Sequence, residues 1–334
     1  MKYEIVAEAY RDLEQVSSRL ALIERLAALI EQTPAQLLPV VCYLGQGLIA
    51  PEFEGVDLGM AEKMAVRAVA AATGVDAAEV AAKVRETGDL GQTAEQLLAA
   101  TAAGRPAELT VVTVVNTLRR IANAEGAGSQ GQKLDLLAGL LKAATPLEAR
   151  YLVRQVTGNL RLGVGTPTIL DALAQVYAGG RKARPVLERA YNICCDLGLV
   201  ASALTSGGVA AVDQIHVSPG HPVRVMLAQR LADATEILAK LGGECAAEYK
   251  YDGMRLQAHK TPDGRIELWT RRLEEVSSQF PDVVEVLSTS LHPAEAIIEG
   301  EVVAFDAATA RTASFSASPR STPANSGAIS PWHR

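Results

Sequence analysis

The sequence predicts a multidomain chain in which an all-α domain is followed by a smaller, partial α+β domain, and three observations carry that division. The length, 334 residues, exceeds the roughly 150 residues of an ordinary single domain. Helix-start signals recur up to about residue 215, in text rich in Ala, Leu and Val with only 4% aromatic residues. Beyond residue 254 the apolar period changes to two, the spacing of strands.

In the first domain, Leu13, Val16, Leu20, Ile23, Ala27 and Ile30 recur at spacings of three and four, which places them on one buried face of a helix. Thr33-Pro34-Ala35-Gln36 and Thr145-Pro146-Leu147-Glu148 each combine a capping Thr, a first-turn Pro and a side chain able to reach back to the cap. Thr93-Ala94-Glu95-Gln96 and Thr166-Pro167 repeat the signal less completely. Gly104-Arg105-Pro106, Gly126-Ala127-Gly128 and Gly179-Gly180 separate the helices.

From Asp213 to Pro222 the text cannot continue a helix past either of its prolines, so the boundary falls there. The expected organisation is a helical domain over 1–215, a linker and short helix over 216–240, an α+β region over 241–306 and a tail over 307–334. In the third region Met254, Leu256 and Ala258 face one way and Arg255, Gln257 and His259 the other. Thr261-Pro262-Asp263-Gly264 is a turn, and Ile266, Leu268 and Thr270 alternate on the returning strand. Phe280 to Leu291 reads as helix and Ala296 to Asp306 as strand. The tail holds seven Ala, six Ser, three Thr and three Pro with no acidic residue, a composition that buries no core and predicts disorder.

Composition excludes several functional classes. With 49% hydrophobic and 21% charged residues the chain is globular. Its net charge, 32 − 38 = −6, leaves nucleic-acid binding to local clusters of Lys and Arg. Cys42, Cys194, Cys195 and Cys245 lack metal-ligand spacing and give no disulfide framework. Residues 32–51 are uncharged, but Pro, Gly and Gln interrupt them in a way that excludes a membrane span. No signal peptide opens the chain, so a cytoplasmic protein is expected.

The stretch that carries chemistry is Glu248-Tyr249-Lys250-Tyr251-Asp252-Gly253-Met254-Arg255, read as a strand ending at a lysine before a tight bend. Its Lys-x-Asp-Gly-x-Arg pattern resembles the nucleotidyl-transfer signature of ATP-dependent DNA ligases, RNA ligases and mRNA capping enzymes. Downstream, Thr270-Arg271-Arg272 resembles that superfamily's Ser/Thr-Arg-Arg element, and Ile298-Glu299-Gly300-Glu301-Val302-Val303 its Asp-Gly-Glu-Val-Val strand, with Glu299 in place of the usual Asp. An isolated strand lysine is ordinarily a solvated surface residue. The ordered motifs are what single out Lys250.

The chemistry asks for these residue types on its own terms. A lysine attacks a phosphorus atom only as the neutral amine, which neighbouring positive charge or desolvation favours. Arg255, Arg271 and Arg272 can provide that charge and hold phosphates in forked hydrogen bonds. A carboxylate such as Glu301 can bind a ribose hydroxyl or the shell of Mg²⁺, the hard cation of phosphoryl transfer. The resemblance implies ATP as the nucleotide, bound by Glu248, Lys250, Arg255, Arg271 and Glu301, with Lys250 as nucleophile, Glu248 at the adenine edge and Glu301 at the metal.

The resemblance extends upstream to the helical DNA-binding domain of replicative-type archaeal and eukaryotic ligases. Tyr43-Leu44-Gly45-Gln46-Gly47, Ala124-Glu125-Gly126-Ala127-Gly128-Ser129-Gln130 and Gly158-Asn159-Leu160-Arg161-Leu162-Gly163-Val164-Gly165 carry it. It implies nicked duplex DNA as substrate and a sliding clamp as a further partner, with no membrane. Arg161, Arg154 and Lys182, with Arg150, Arg181 and Arg184 nearby, are the expected phosphate-contacting residues. After Asp306 the family's second lysine-bearing strands and OB-fold find no counterpart here. A chain cut short inside its adenylation domain, weakly active or inactive, is therefore expected, with a non-catalytic helical DNA-binding fragment carrying a vestigial adenylation domain as the alternative.

Overall fold

The computed structural model describes residues 1–101, 108–306 and 311–313. Its first compact unit comprises Met1–Asn192 and Asp196–Ile215, and a second begins at His216.

The first unit is helical: α1 (Tyr3–Glu14), α2 (Arg19–Gln32), α3 (Leu38–Gly45), α4 (Glu62–Thr73), α5 (Ala77–Thr87), α6 (Leu90–Thr101), α7 (Val111–Ala122), α8 (Ser129–Ala143), α9 (Pro146–Val156), α10 (Thr166–Tyr177), α11 (Arg184–Cys194) and α12 (Leu197–Asp213). The expected capping box at Thr145 forms, with the Thr145 hydroxyl accepting from the Glu148 N–H and the Glu148 carboxylate accepting from the Thr145 N–H. Gly128 and Gly180 take positive φ at the start of α8 and just beyond the end of α10, where the sequence places breaks. The Gly104-Arg105-Pro106 break lies outside the described residues.

Three local expectations are corrected. The 13–30 stripe is split between α1 and α2, because Ser18 starts a new helix by accepting from the Ala21 N–H. Leu20, counted into the stripe, is 62% exposed. Thr33 does not cap, since its hydroxyl donates back to the Leu29 carbonyl, and a 3-10 turn at Ala35–Leu37 precedes α3. Thr93 lies inside α6, whose first turn is held instead by Asp89 accepting from the Gly91 and Gln92 N–H groups.

The core of this unit is set by close approaches. Helix α6 lies on α9 because Gly91 has no side chain; a Cβ there would come within 2.7 Å of the Arg150 carbonyl oxygen and 2.8 Å of Arg154 Cγ. Tyr10 of α1 meets Tyr151 of α9 edge to face at 5.4 Å. On α12, Gly198 leaves room for Tyr43, whose hydroxyl donates to Asp196 at 2.5 Å. Gly207 and Gly208 leave helical geometry and kink α12 before its last turns.

The second unit opens with irregular chain and helix α13 (Ala234–Lys240), then β1 (Met254–Lys260), β2 (Ile266–Thr270), helix α14 (Pro281–Ser290), β3 (Ala296–Val302), β4 (Ala304–Asp306) and β5 (Arg311–Ala313). The main sheet is antiparallel in the order β2-β1-β3, and β4 pairs with β5 separately. Leu256, Ala258, Ile266 and Leu268 pack with Val276 and with Val283 of α14. Residues 248–250, expected as strand, have no regular structure, and the strand expected over 296–306 is two strands broken at Val303. Apart from β5, the expected tail lies outside the described residues.

Gly198→Ala is expected to destabilise the helical unit by about 1–3 kcal/mol, because its Cβ would run into the Tyr43 hydroxyl and lie 3.0 Å from Pro39 Cβ. Urea denaturation followed by far-UV circular dichroism measures this, and Ala210→Gly at an exposed position of the same helix serves as a control for helix propensity.

Candidate active site

The register of the main sheet decides which side chains meet. Arg255 stands opposite Glu301 and Gln257 opposite Glu299 across β1 and β3, while Gln257 faces Trp269 and His259 faces Glu267 across β1 and β2. One face of the sheet thus carries Arg255, Gln257, His259, Glu299 and Glu301. The other carries Leu256, Ala258 and Leu268 and rests on α14.

Simple alternation would leave the polar face wet, yet Gln257 and His259 are buried. Chain from the segment 218–223 covers them. The Gly220 N–H donates to His259 Nδ1 at 3.1 Å, the Val223 N–H donates to Gln257 Oε1 at 2.7 Å, and Gln257 Nε2 donates to the Val223 carbonyl at 2.9 Å. Burial, with His221 as a second cause, holds the His259 imidazole down at about 4.

Arg255 extends from the wetter end of this face and pairs through its guanidinium with Glu299. Partial burial pulls the Glu299 carboxyl upward, but hydrogen bonds from Arg255 and from Gln257 outweigh it, leaving the group below its ordinary value. Glu301 is exposed at the neighbouring position of β3. The bend at Asp252-Gly253 presses against this strand end: a Cβ at Gly253 would run into the Val302 carbonyl oxygen and lie 2.9 Å from Glu301 Cγ. Only glycine fits, and the chain bearing Lys250 therefore leaves the sheet beside Glu301.

Glu248 and Lys250 are exposed on that chain. Among the described residues neither has a hydrogen bond or ion pair to Arg255 or Glu301. Arg271 and Arg272 sit in a tight turn after β2, where the Thr270 hydroxyl accepts from the Arg272 and Glu274 N–H groups and Leu273 takes a positive φ of 65°. Burying Leu273 leaves both arginines exposed. The structure thus brings Arg255, Glu299 and Glu301 onto one face, with Lys250 entering beside it. The partnership of Gln257 with Glu299 was missed in the sequence, although the i, i+2 spacing of Arg255 with Gln257 and of Glu299 with Glu301 was its signal.

In the helical unit the expected phosphate-contacting residues divide. Arg161 is 57% exposed in the loop between α9 and α10, with a positive φ of 58°, and it donates to the Gly88 carbonyl at 3.2 Å. Lys182 is exposed in a 3-10 turn at Arg181–Ala183. Arg154 is a correction: only 4% exposed, it donates to Asp89 at 2.5 Å, pairs with Glu14 and stacks over the Tyr151 ring at 5.5 Å. Burial, helped by Arg161, lowers its guanidinium to about 10. Arg150 is bound to Glu95 at 2.6 Å, and Arg184 to Glu188 at 3.0 Å and Asp171 at 3.3 Å. Their charge is spent inside the helical unit, because a desolvated cation requires a carboxylate partner.

Comparison with known proteins agrees with both units. The family model "DNA ligase N terminus" matches residues 2–174, and "ATP dependent DNA ligase domain" matches residues 225–329, beyond the point at which the expected tail begins. The chain belongs to the ATP-dependent DNA ligase family. It is 47% identical to "DNA ligase 2" of Thermofilum pendens over 315 residues, covering 92% of this chain and 52% of that protein. A "DNA ligase" of Aeropyrum pernix is 46% identical over 92% of this chain and 53% of its own length, and a "Probable DNA ligase" of Aquifex aeolicus 44% identical over 94% and 54%. The chain spans about half the length of these curated relatives. Among the described residues no helix is long and apolar enough to cross a membrane.

The lowered His259 value sets a pH dependence. The unfolded chain binds a proton at the ordinary value of 6.5 and the folded chain only near 4, so this contribution to stability is complete above 6.5 and is lost as pH falls towards 4. Urea unfolding of the second unit, followed by the fluorescence of Trp269 in a Trp332→Phe background, should show a midpoint declining across that window. His259→Asn, which keeps an acceptor but cannot titrate, should flatten this part of the decline.

Proposed function

We propose that this chain takes AMP from ATP onto Lys250 and passes it to the 5′-phosphate of a nick in duplex DNA. The observation that carries the proposal is the Gly253 contact, which sets the lysine-bearing chain beside the Arg255, Glu299 and Glu301 face. The neutral Lys250 amine attacks the α-phosphorus of ATP; an N–P bond forms and pyrophosphate leaves. The 5′-phosphate oxygen then displaces the lysine, and attack by the 3′-hydroxyl closes the phosphodiester and releases AMP.

Arg255, Arg271 and Arg272 are the cations for this work: they disfavour the charged form of a nearby amine and bind the phosphates through forked donors. Glu248 is assigned to the adenine edge. Glu301, an exposed carboxylate without an ion-pair partner among the described residues, suits a hard cation such as Mg²⁺, which combines one or two carboxylates with substrate phosphates. When bound, Mg²⁺ supplies charge neutralisation at the phosphates.

Arg161 and Lys182 are assigned to the DNA backbone. The loop carrying Arg161 exposes Gly158, Gly163 and Gly165 just before α10, which suits close approach of a phosphate without base reading. A sliding clamp is the further partner proposed, and the cytoplasm the proposed place of action.

Intact mass spectrometry of the purified chain with ATP and Mg²⁺ should show one AMP gained by only a minor fraction, as expected of a weakly active chain, and no gain in Lys250→Ala. Salt-sensitive binding to nicked duplex without that gain would instead favour the non-catalytic DNA-binding alternative.

Fluorescence anisotropy on nicked duplex should show affinity falling steeply with salt. Arg161→Ala and Lys182→Ala should each reduce the slope of log affinity against log salt by about one, without changing sequence preference. Arg154→Ala should instead lower the stability of the helical unit by about 3–5 kcal/mol, as the buried Asp89 and the half-buried Glu14 lose their nearest cation.

A further inference from the structure

Gln257 is a hub with every polar position used. Its Oε1 accepts from the Val223 N–H at 2.7 Å and its Nε2 donates to the Val223 carbonyl at 2.9 Å, so the backbone fixes which amide atom is oxygen and which is nitrogen. The same Oε1 lies 3.1 Å from His259 Nε2. That nitrogen must carry the proton, because His259 Nδ1 accepts from the Gly220 N–H at 3.1 Å. Only one amide hydrogen of Gln257 remains, and it points at Glu299 Oε1 at 3.0 Å. The second oxygen of Glu299 receives the Arg255 guanidinium.

The chain of bonds therefore runs from backbone through a buried amide to an exposed carboxylate and ends on one arginine. Each link has a direction that cannot be reversed without placing two donors or two acceptors in contact. A long cation on an exposed sheet face would otherwise sample many rotamers; tied by one amino group, it keeps its remaining N–H donors in a restricted orientation.

We propose that Gln257 is a positioning residue that aims Arg255 at the phosphates of the nucleotide, acting through Glu299 as an intermediate. The aim towards a nucleotide rests on the function proposed above; the ordering of Arg255 by Gln257 does not. Glu299 is then the counter-ion that orients a phosphate-binding arginine.

Two measurements on the full chain separate these parts. The first is ¹⁵N NMR of the arginine side chains, with the Arg255 signal assigned by its loss in R255K. In Q257E, which sets a carboxylate against both Glu299 and the Val223 carbonyl, rotation about the Arg255 Nε–Cζ bond should accelerate about tenfold, as expected for loss of one charge-assisted hydrogen bond. E299A leaves the buried bonds of Gln257 to Val223 and His259 in place and should reproduce that acceleration without loss of thermal stability. Unchanged Arg255 dynamics in E299A, or in folded Q257E, would overturn the proposal.

The second measurement is the affinity of inorganic tripolyphosphate. It should weaken about tenfold in R255A, E299A and Q257E alike, and Q257E should add nothing in an R255A background, because the effect passes through Arg255. Equal losses from Q257E with and without Arg255 would reduce its role to added negative charge and sink the positioning claim. Failure of the wild-type chain to bind tripolyphosphate, with Arg255 still ordered through Gln257, would refute the nucleotide assignment alone.

Discussion

The antiparallel pairing of β1 with β3 is the constraint on which the proposed site depends. Side chains alternate across a sheet with a period of two, so a slip of one residue would turn Arg255 away from Glu301 and Gln257 away from Glu299. The register is fixed from both faces at once. On one, Leu256 and Ala258 must reach the apolar cluster under α14; on the other, Gln257 and His259 must meet the backbone of Gly220 and Val223. Gly253 adds a steric stop at the end of the pairing, where no side chain fits between the bend and Val302.

Charge is used in two opposite ways in the two units. In the helical unit, Arg150 and Arg154 of α9 are drawn inward onto Glu14, Asp89 and Glu95, and this network ties α1 and α6 to α9. Such pairs add little net stability but make the arrangement specific, because loss of either partner strands a buried charge. Arg161 continues the network outward: its guanidinium lies 3.5 Å from Asp89 while the rest of the side chain stays exposed. On the sheet of the second unit the cations remain at the surface, and Arg255 alone among Arg255, Arg271 and Arg272 is held by a carboxylate. This difference in solvent access separates the arginines that build the fold from those proposed to meet phosphate.

Local chemistry made some elements legible in advance and hid others. The Thr145 capping box could be read because both partners lie within four residues of each other. Thr33 and Thr93 carry the same type of signal, but their hydroxyls donate to the carbonyls of Leu29 and Asp89 within preceding or continuing helical turns. For the site, Lys250, Arg255, Arg271 and Glu301 stood out by the order of their motifs, whereas Gln257 did not. Its partners Val223 and Glu299 lie 34 and 42 residues away, so the i, i+2 spacing on each strand signals a shared face but not which residues meet across it.

By itself the sequence determined the two-part organisation, the helical class of the first part, the alternation of β1 and the family to which the chain belongs, because periodicity, capping and short motifs act over a few residues. Only the tertiary structure decided which arginines are buried, which face of β1 is covered and which carboxylate holds Arg255. Arg154 and Arg161 look alike in the sequence, yet one is 4% and the other 57% exposed, because α6 packs on α9 over Arg154 while Arg161 lies in an exposed loop. Burial is a property of neighbours distant in the chain, and it is burial that converts a charged or polar side chain from a surface group into a structural one.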